Sequence, residues 1–182
     1  MEPTTSHKSG DQGGKPESAR HAPAGESPDL NGAAHIKVEM LSQPRYLSGA
    51  RELVSAVAKR FGFGDTACGQ IALAVDEALC NIIRHGYGRR EDGRIWLSIW
   101  PEPGQGELPE GIRIVLEDEA AQVDPERIRG RELEDVRPGG LGVYIIRQVM
   151  DTVRYEKRPG VGMRLELVKT HAGSAQAAEE RG

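Results

Sequence analysis

Large apolar side chains are almost absent from the first fifth of this sequence, and that break bounds what the chain can fold into. From Met1 to about His35 there is no Ile, Val, Phe, Tyr or Trp, and Leu30 is the only large aliphatic residue besides Met1. Pro3, Pro16, Pro23 and Pro28 punctuate a stretch rich in Ser, Gly, Glu and Lys. Such a segment cannot bury enough apolar area to offset the entropy of ordering it, so residues 1–35 are expected to be a disordered tail. Residues 171–182, rich in Ala, Glu and Gln, are expected to form a second, flexible tail. The folded domain is then expected over residues 36–170, a length that suits one core.

Bulk charge and motif content exclude several classes. A formal net charge of −4 gives no overall drive toward nucleic acid or an anionic membrane. No apolar run approaches the roughly 18–20 residues of a membrane span, and the N-terminus lacks the apolar segment of a secretory signal. Cytoplasmic location is the expectation. Cys68 and Cys80 fall on one expected helix, about 18 Å apart at ~1.5 Å per residue, too far for a bridge. Neither Cys/His metal spacing nor a Walker-type Gly-Lys-Ser/Thr run is present.

Within residues 36–170 the hydrophobic period switches several times. Ile36-Lys37-Val38-Glu39-Met40 alternates as a strand does. Tyr46, Leu47, Ala50, Leu53, Val54, Val57 and Ala58 recur at helical spacing, and Phe61-Gly62-Phe63-Gly64 stops that helix. A second helix, capped by Asp65 or Thr66, carries Ile71, Ala72, Val75, Leu79, Ile82 and Ile83 and ends near Gly86 or Gly88. Two strands follow, with Ile95, Leu97 and Ile99 on one face of the first and Ile112, Ile114 and Leu116 on one face of the second. A third helix is expected over Leu141 to Met150, then a hairpin turning at Pro159-Gly160. Short links favour antiparallel pairing with the helices on one face, an α+β two-layer α/β sandwich.

Three places carry chemistry. On the second helix Glu77 and Asn81 point the same way, one turn apart, opposite the apolar stripe and flanked by Ala74 and Ala78. A carboxylate there orients and deprotonates a hydroxyl, and an amide oxygen is a hard ligand of the type Mg²⁺ accepts; equally, the pair fits a solvated helix face. Asp118 shares parity with Ile112, Ile114 and Leu116, so it points inward where its strand ends and must find donors. An adenine amine is one such donor, and a backbone amide of the following loop is another. Arg137-Pro138-Gly139-Gly140-Leu141-Gly142 opens the third helix; its glycines suit an anion at a helix N-terminus, or a flexible connection.

Taken together, Asp76-Glu77-Ala78-Leu79-Cys80-Asn81-Ile82-Ile83-Arg84-His85-Gly86-Tyr87 resembles the Glu-x-x-x-Asn box of the GHKL (Bergerat-fold) ATPases. The likeness is closest to the anti-sigma factor serine kinases and their histidine-kinase-like ATPase relatives. Asp118 with Val123-Asp124-Pro125 looks like that family's first glycine box, and Gly139-Gly140-Leu141-Gly142-Val143-Tyr144-Ile145-Ile146-Arg147 looks like its second. Gly162-Met163-Arg164-Leu165 falls where the family has its closing strand.

The resemblance implies a Bergerat ATP-binding fold with a mixed, mostly antiparallel sheet, and ATP with Mg²⁺ as cofactors. By that likeness Glu77 is the general base, Asn81 the Mg²⁺ ligand, and Asp118 the acceptor for the adenine amine. Gly139, Gly140 and Gly142, with Leu141 between them, line the phosphates. Arg84 and Arg137 are phosphate contacts or solvated arginines, and His85 is a structural helix-end residue. One departure stands out: Asp118-Glu119-Ala120-Ala121-Gln122 has no glycine where the first box has two. Adenine binding then requires Ala120 to keep negative φ.

The activity implied is a serine/threonine protein kinase that phosphorylates a STAS-type anti-anti-sigma protein and sequesters a sigma factor or similar regulator. The resemblance also implies dimerisation through the first strand and helix. A non-catalytic, nucleotide-gated or nucleotide-free binding module is the alternative. The catalytic half of a histidine kinase ranks below both, because the chain has no helical hairpin bearing a phospho-acceptor His.

Overall fold

A computed structural model of the chain describes residues 34–104, 108–128 and 141–171. The expected tails fall almost wholly outside those residues, as do Arg137, Gly139 and Gly140. The elements are β1 (Ile36–Leu41), α1 (Leu47–Arg60), α2 (Asp65–Asn81), β2 (Arg94–Glu102), β3 (Gly111–Asp118), α3 (Leu141–Val149), β4 (Thr152–Lys157) and β5 (Met163–Thr170). Their order and type are those the periodicity predicts.

The strands form one sheet in the order β1-β2-β3-β5-β4, and each neighbouring pair is antiparallel. Period-2 alternation decides which side chains face the helices. Leu97 sits across from Leu116, which sits across from Leu165, while Ile99, Ile114 and Leu167 make the next row. All of these residues are buried. Over them α2 lays Ile71, Val75 and Leu79, and α1 adds Ala50, Val54 and Ala58, closing a single core.

Among the described residues no helix covers the other sheet face, yet Ser98 and Val115 are buried there. Long side chains on the same face provide the cover. The Arg113 guanidinium lies 4.9 Å over the Trp100 ring and pairs with Glu102 and Glu166 at 3.0 and 3.8 Å. Arg164 bridges Glu156 and Glu166 at 3.1 and 3.2 Å. Both tryptophans of the chain, Trp96 and Trp100, lie on this face, so the aromatic residues buried in the core are Phe63 and Tyr87.

The second helix departs from expectation at its start and ends near Gly86 and the left-handed Gly88 as expected, though by a π-turn. Gly64, in extended conformation, is its N-cap, with no side-chain cap. Asp65 instead pairs with Lys59 at 2.8 Å across the turn from α1. At the other end α2 runs into a π-turn, Ile82–Gly86, in which the Tyr87 N–H donates to the Ile82 carbonyl at 2.9 Å. Gly88 and Arg89 then take left-handed backbone at φ 59° and 68°. Counted together, Asp65–Gly86 is 22 residues and contains an 18-residue window of mean hydropathy 1.2, long and apolar enough by composition to cross a membrane. Its apolar side is built into the core against the sheet. Cys68 and Cys80 are both free thiols, as their spacing along α2 requires.

Two stability predictions follow from this packing. Leu79 is fully buried at the centre of the helix–sheet contact, so Leu79→Ala is expected to lower the unfolding free energy by about 2–5 kcal/mol in urea titration. Asp151, just before β4, accepts from Lys169 Nζ at 2.7 Å and from the Thr170 N–H and hydroxyl at 2.7 and 2.9 Å. Burial works to raise its pKa, but these donors outweigh burial and hold it below 3.8. A depressed folded-state pKa stabilises above the unfolded value and is lost as pH falls through the folded one. Asp151→Asn should therefore remove part of the stability loss measured between pH 4 and lower values.

Candidate functional site

The site begins where α2 meets the start of α3. Ala74 and Ala78 are buried beside Glu77 and Asn81, which are themselves half-buried. Gly142, in the first turn of α3, presses against the same pair: a Cβ there would lie 2.6 Å from Glu77 Oε2 and 3.4 Å from Asn81 Nδ2. The pair therefore faces another element and is not a solvated helix surface. Asn81 Nδ2 is buried with no hydrogen-bond partner among the described residues. An orphaned amide in this position is costly unless a ligand completes it. Turned over, the same amide presents a buried oxygen, the donor type a hard divalent cation takes.

Asp118 forms the second part. It is buried at the inward-facing end of β3, as strand parity predicts. Its Oδ1 accepts from the Ala120 N–H at 2.8 Å and from the Met163 N–H at 3.1 Å. The loop amide expected as a partner is thus present, and the second comes from β5. Oδ2 has no partner among the described residues, which leaves an acceptor for a donor from outside the chain. Burial is the main influence on this carboxyl and raises its pKa; the two amides and the nearby Arg158 oppose that rise.

Ala120 settles how the domain tolerates a first box without glycine. Among the described residues Arg89 is the sole non-glycine with positive φ, so Ala120 keeps the ordinary backbone an L-residue prefers. Its methyl group is buried and points at Gly86, the last residue of the π-turn, where an added Cβ would come within 3.0 Å of the Ala120 Cβ. The missing side chain at Gly86 makes room for the extra one at Ala120. Beside them the Tyr87 hydroxyl accepts from the Glu119 N–H at 2.8 Å and donates to the Arg94 carbonyl. Gly93 leaves space for the Tyr87 ring, since a Cβ there would collide with it.

Of the remaining sequence-predicted residues, Arg84 is exposed in the π-turn with His85, and Leu141 is exposed at the first position of α3. Arg137, Gly139 and Gly140 lie outside the described residues, so α3 contributes Leu141 and Gly142 alone. Two residues that sequence reasoning did not single out for the site stand next to Asp118. Gly162, at φ 88°, brings its Cα so close to the Asp118 carbonyl that any Cβ would overlap it. Arg158 Nη1 donates to that same carbonyl at 2.5 Å. The positive φ at Gly162 is a turn signal available to a reader of the sequence; the reach of Arg158 is not.

A carboxylate and an amide in the last turns of α2, facing the start of α3, and an inward carboxylate with an open acceptor some elements away suit a ligand with a cation-bound polyanionic end and a hydrogen-bonding base. Over residues 40–169 the chain matches the histidine kinase-like ATPase domain, and it belongs to that family. Among its relatives is the serine-protein kinase RsbW of Oceanobacillus iheyensis, 30% identical over 70% of this chain and 82% of that protein. The serine-protein kinase RsbW of Listeria innocua is 30% identical over 70% and 83%, and that of Bacillus subtilis 25% over 72% and 83%. The chain is also similar to the histidine kinase domain of a blue-light activated histidine kinase from Erythrobacter litoralis. That likeness is 21% identical with a TM-score of 0.44, covering 70% of this chain and 60% of that one. ATP is the nucleotide the family implies, and the open Asp118 acceptor and the orphaned Asn81 amide fit such a ligand.

The Ala120–Gly86 contact makes a reciprocal prediction. Gly86→Ala should lower stability by about 1–3 kcal/mol through overpacking, and adding Ala120→Gly should recover most of that loss. A double-mutant cycle by thermal or urea unfolding reads the coupling; additivity of the two substitutions would show that the methyl groups do not meet.

Proposed function

We propose that this chain is an ATP- and Mg²⁺-dependent serine/threonine protein kinase of the anti-sigma factor type. It would act in the cytoplasm, phosphorylate a serine or threonine of a STAS-type anti-anti-sigma protein, and sequester a sigma factor or similar regulator. The observation that carries the reading is the meeting of Glu77, Asn81 and Gly142 at one point between α2 and α3. The names of the relatives support a serine acceptor; the STAS and sigma partners rest on the family likeness.

Bound ATP supplies the phosphoryl group, and a bound Mg²⁺ offsets its charge. The chain's own residues do the rest. The Glu77 carboxylate accepts the proton of the acceptor hydroxyl and aims its oxygen. The Asn81 amide oxygen would hold the metal, and Asp118 Oδ2 would accept from the adenine amine. Gly142 keeps α3 close to Glu77 and Asn81, so the first-turn amides of α3 and the partial positive charge of its N-terminus would help hold the phosphates. Side chains at that position would push the carboxylate aside.

The binding-module reading draws on the glycine-free first box. The ordinary backbone of Ala120 and the room at Gly86 weaken that argument, because the substitution leaves the Asp118 carboxylate in its inward position. For quaternary structure, β1 is a sheet edge, and between it and α1 lies an open groove of about 560 Å³ lined by Val38, Met40, Tyr46 and Leu53. A second copy of the chain would pair there.

Catalysis and binding separate in one experiment. Glu77→Gln is expected to slow transfer of labelled phosphate from ATP to a cognate STAS protein by about 10²–10⁴-fold, with ATP affinity by calorimetry nearly unchanged. Asn81→Ala should instead abolish the Mg²⁺ dependence of binding. Wild-type protein that binds ATP but labels no STAS partner would leave the binding module as the function.

A further inference from the structure

Arg158, the first residue after β4, is held by more partners than a turn residue needs. Its Nη1 donates to the Asp118 carbonyl at 2.5 Å, and its Nε lies 3.3 Å from Glu117 Oε1. The guanidinium stacks over the Trp96 ring of β2, 5.0 Å from the centroid. Its backbone is tied as well: the N–H donates to the Gly162 carbonyl at 3.1 Å, and the carbonyl accepts from Gln122 Nε2 at 2.6 Å. One side chain thus joins β2, the end of β3 and the β4–β5 turn. That turn ends at Met163, whose N–H is one of the two donors to Asp118 Oδ1. The other donor, Ala120, is two residues before Gln122. Both donors that orient the Asp118 carboxylate are therefore within two residues of a contact of Arg158.

We propose that Arg158 is a positioning residue for adenine recognition, clamping the end of β3 so that the Asp118 carboxylate keeps one oxygen turned toward the base. This rests on the reading of Asp118 as the adenine acceptor. An arginine suits the task because a planar fork can donate to a carbonyl, pair with a carboxylate and stack on an indole at once. Lysine keeps the charge but cannot make all three contacts. The ionisable groups around Asp118 among the described residues are Glu117 and Glu119 beside it in the chain, the Tyr87 phenol from the turn after α2, and Arg158 itself. Arg158 is the one cation, so its removal should also make the carboxylate easier to protonate.

The test compares ATP·Mg²⁺ with inorganic tripolyphosphate, which lacks the base, on the full chain and on Arg158→Gln and Arg158→Lys, by calorimetry from pH 4 to pH 8. In Arg158→Gln, ATP affinity is expected to fall roughly 3- to 30-fold at pH 7, tripolyphosphate affinity to stay within about twofold, and the acid limb of ATP binding to move to higher pH. Arg158→Lys should lose ATP affinity at pH 7 while its acid limb stays near that of the wild type. If Arg158→Gln does not fold by circular dichroism, the lysine variant decides alone. Equal loss for both ligands, or unchanged ATP affinity in the lysine variant, overturns the proposal and leaves a structural clamp. If the wild type binds ATP but Asp118→Asn binds it equally well, the reading of Asp118 fails, and the proposal with it.

Discussion

Everything in this domain depends on one helix having two incompatible neighbours. One side of α2 must be dry, because Ile71, Val75 and Leu79 close the core over the sheet. The adjoining side carries a carboxylate and an amide, which cannot be fully dry without partners. Helical geometry keeps the two jobs apart by roughly 140° at ~100° per residue, and Ala74 and Ala78 mark the boundary. They are buried at 0 and 1% exposure, small enough to let α3 approach without burying Glu77 outright. Larger residues there would hold α3 away and leave Gly142 with nothing to press against.

A second constraint acts at the far end of the sheet. Asp118 obeys the same alternation that places Ile112, Ile114 and Leu116 inward, so its burial comes from register and needs no special device. What does need a device is keeping that carboxylate aimed. Donors come from the loop after β3 and from the start of β5, and Gly162 lets the two backbones touch. The Asp118 end of the site is therefore assembled from chain segments that are some forty residues apart, while the Glu77–Asn81 end comes from two helix faces.

How much of this could be read from the sequence depended on whether a feature is periodic. Strand and helix order, the inward parity of Asp118 and the Glu77–Asn81 face all follow from repeats of 2 and 3.6 residues, and the structure has them. The π-turn adds a single residue to a helical turn, too little to disturb an apolar pattern in which Ile82, Ile83 and Tyr87 still read as one stripe. The start of α2 differs from what residue type predicts for a related reason: Asp65 is a good cap by type, but it pairs with Lys59, and Gly64 serves instead. Contacts such as Ala120 on Gly86 or Arg158 on Asp118 join positions far apart in sequence. Nothing local in the sequence announces them.

The π-turn has a consequence for how such a chain can change. Asn81 is the last residue in α-helical register, and everything from Ile82 to Gly86 follows a wider turn before Tyr87 ties down Glu119 and Arg94. The exposed side chains of the turn, Arg84 and His85, can be exchanged without moving either end, whereas Ile83 is built into the core and Gly86 faces Ala120. The number of residues cannot change so freely. Removing one would tighten the turn to ordinary pitch, swing the phenol away from its two backbone partners and withdraw Gly86 from Ala120. In this segment geometry fixes the number of residues more tightly than it fixes the exposed side chains, so length constrains the turn more than composition does.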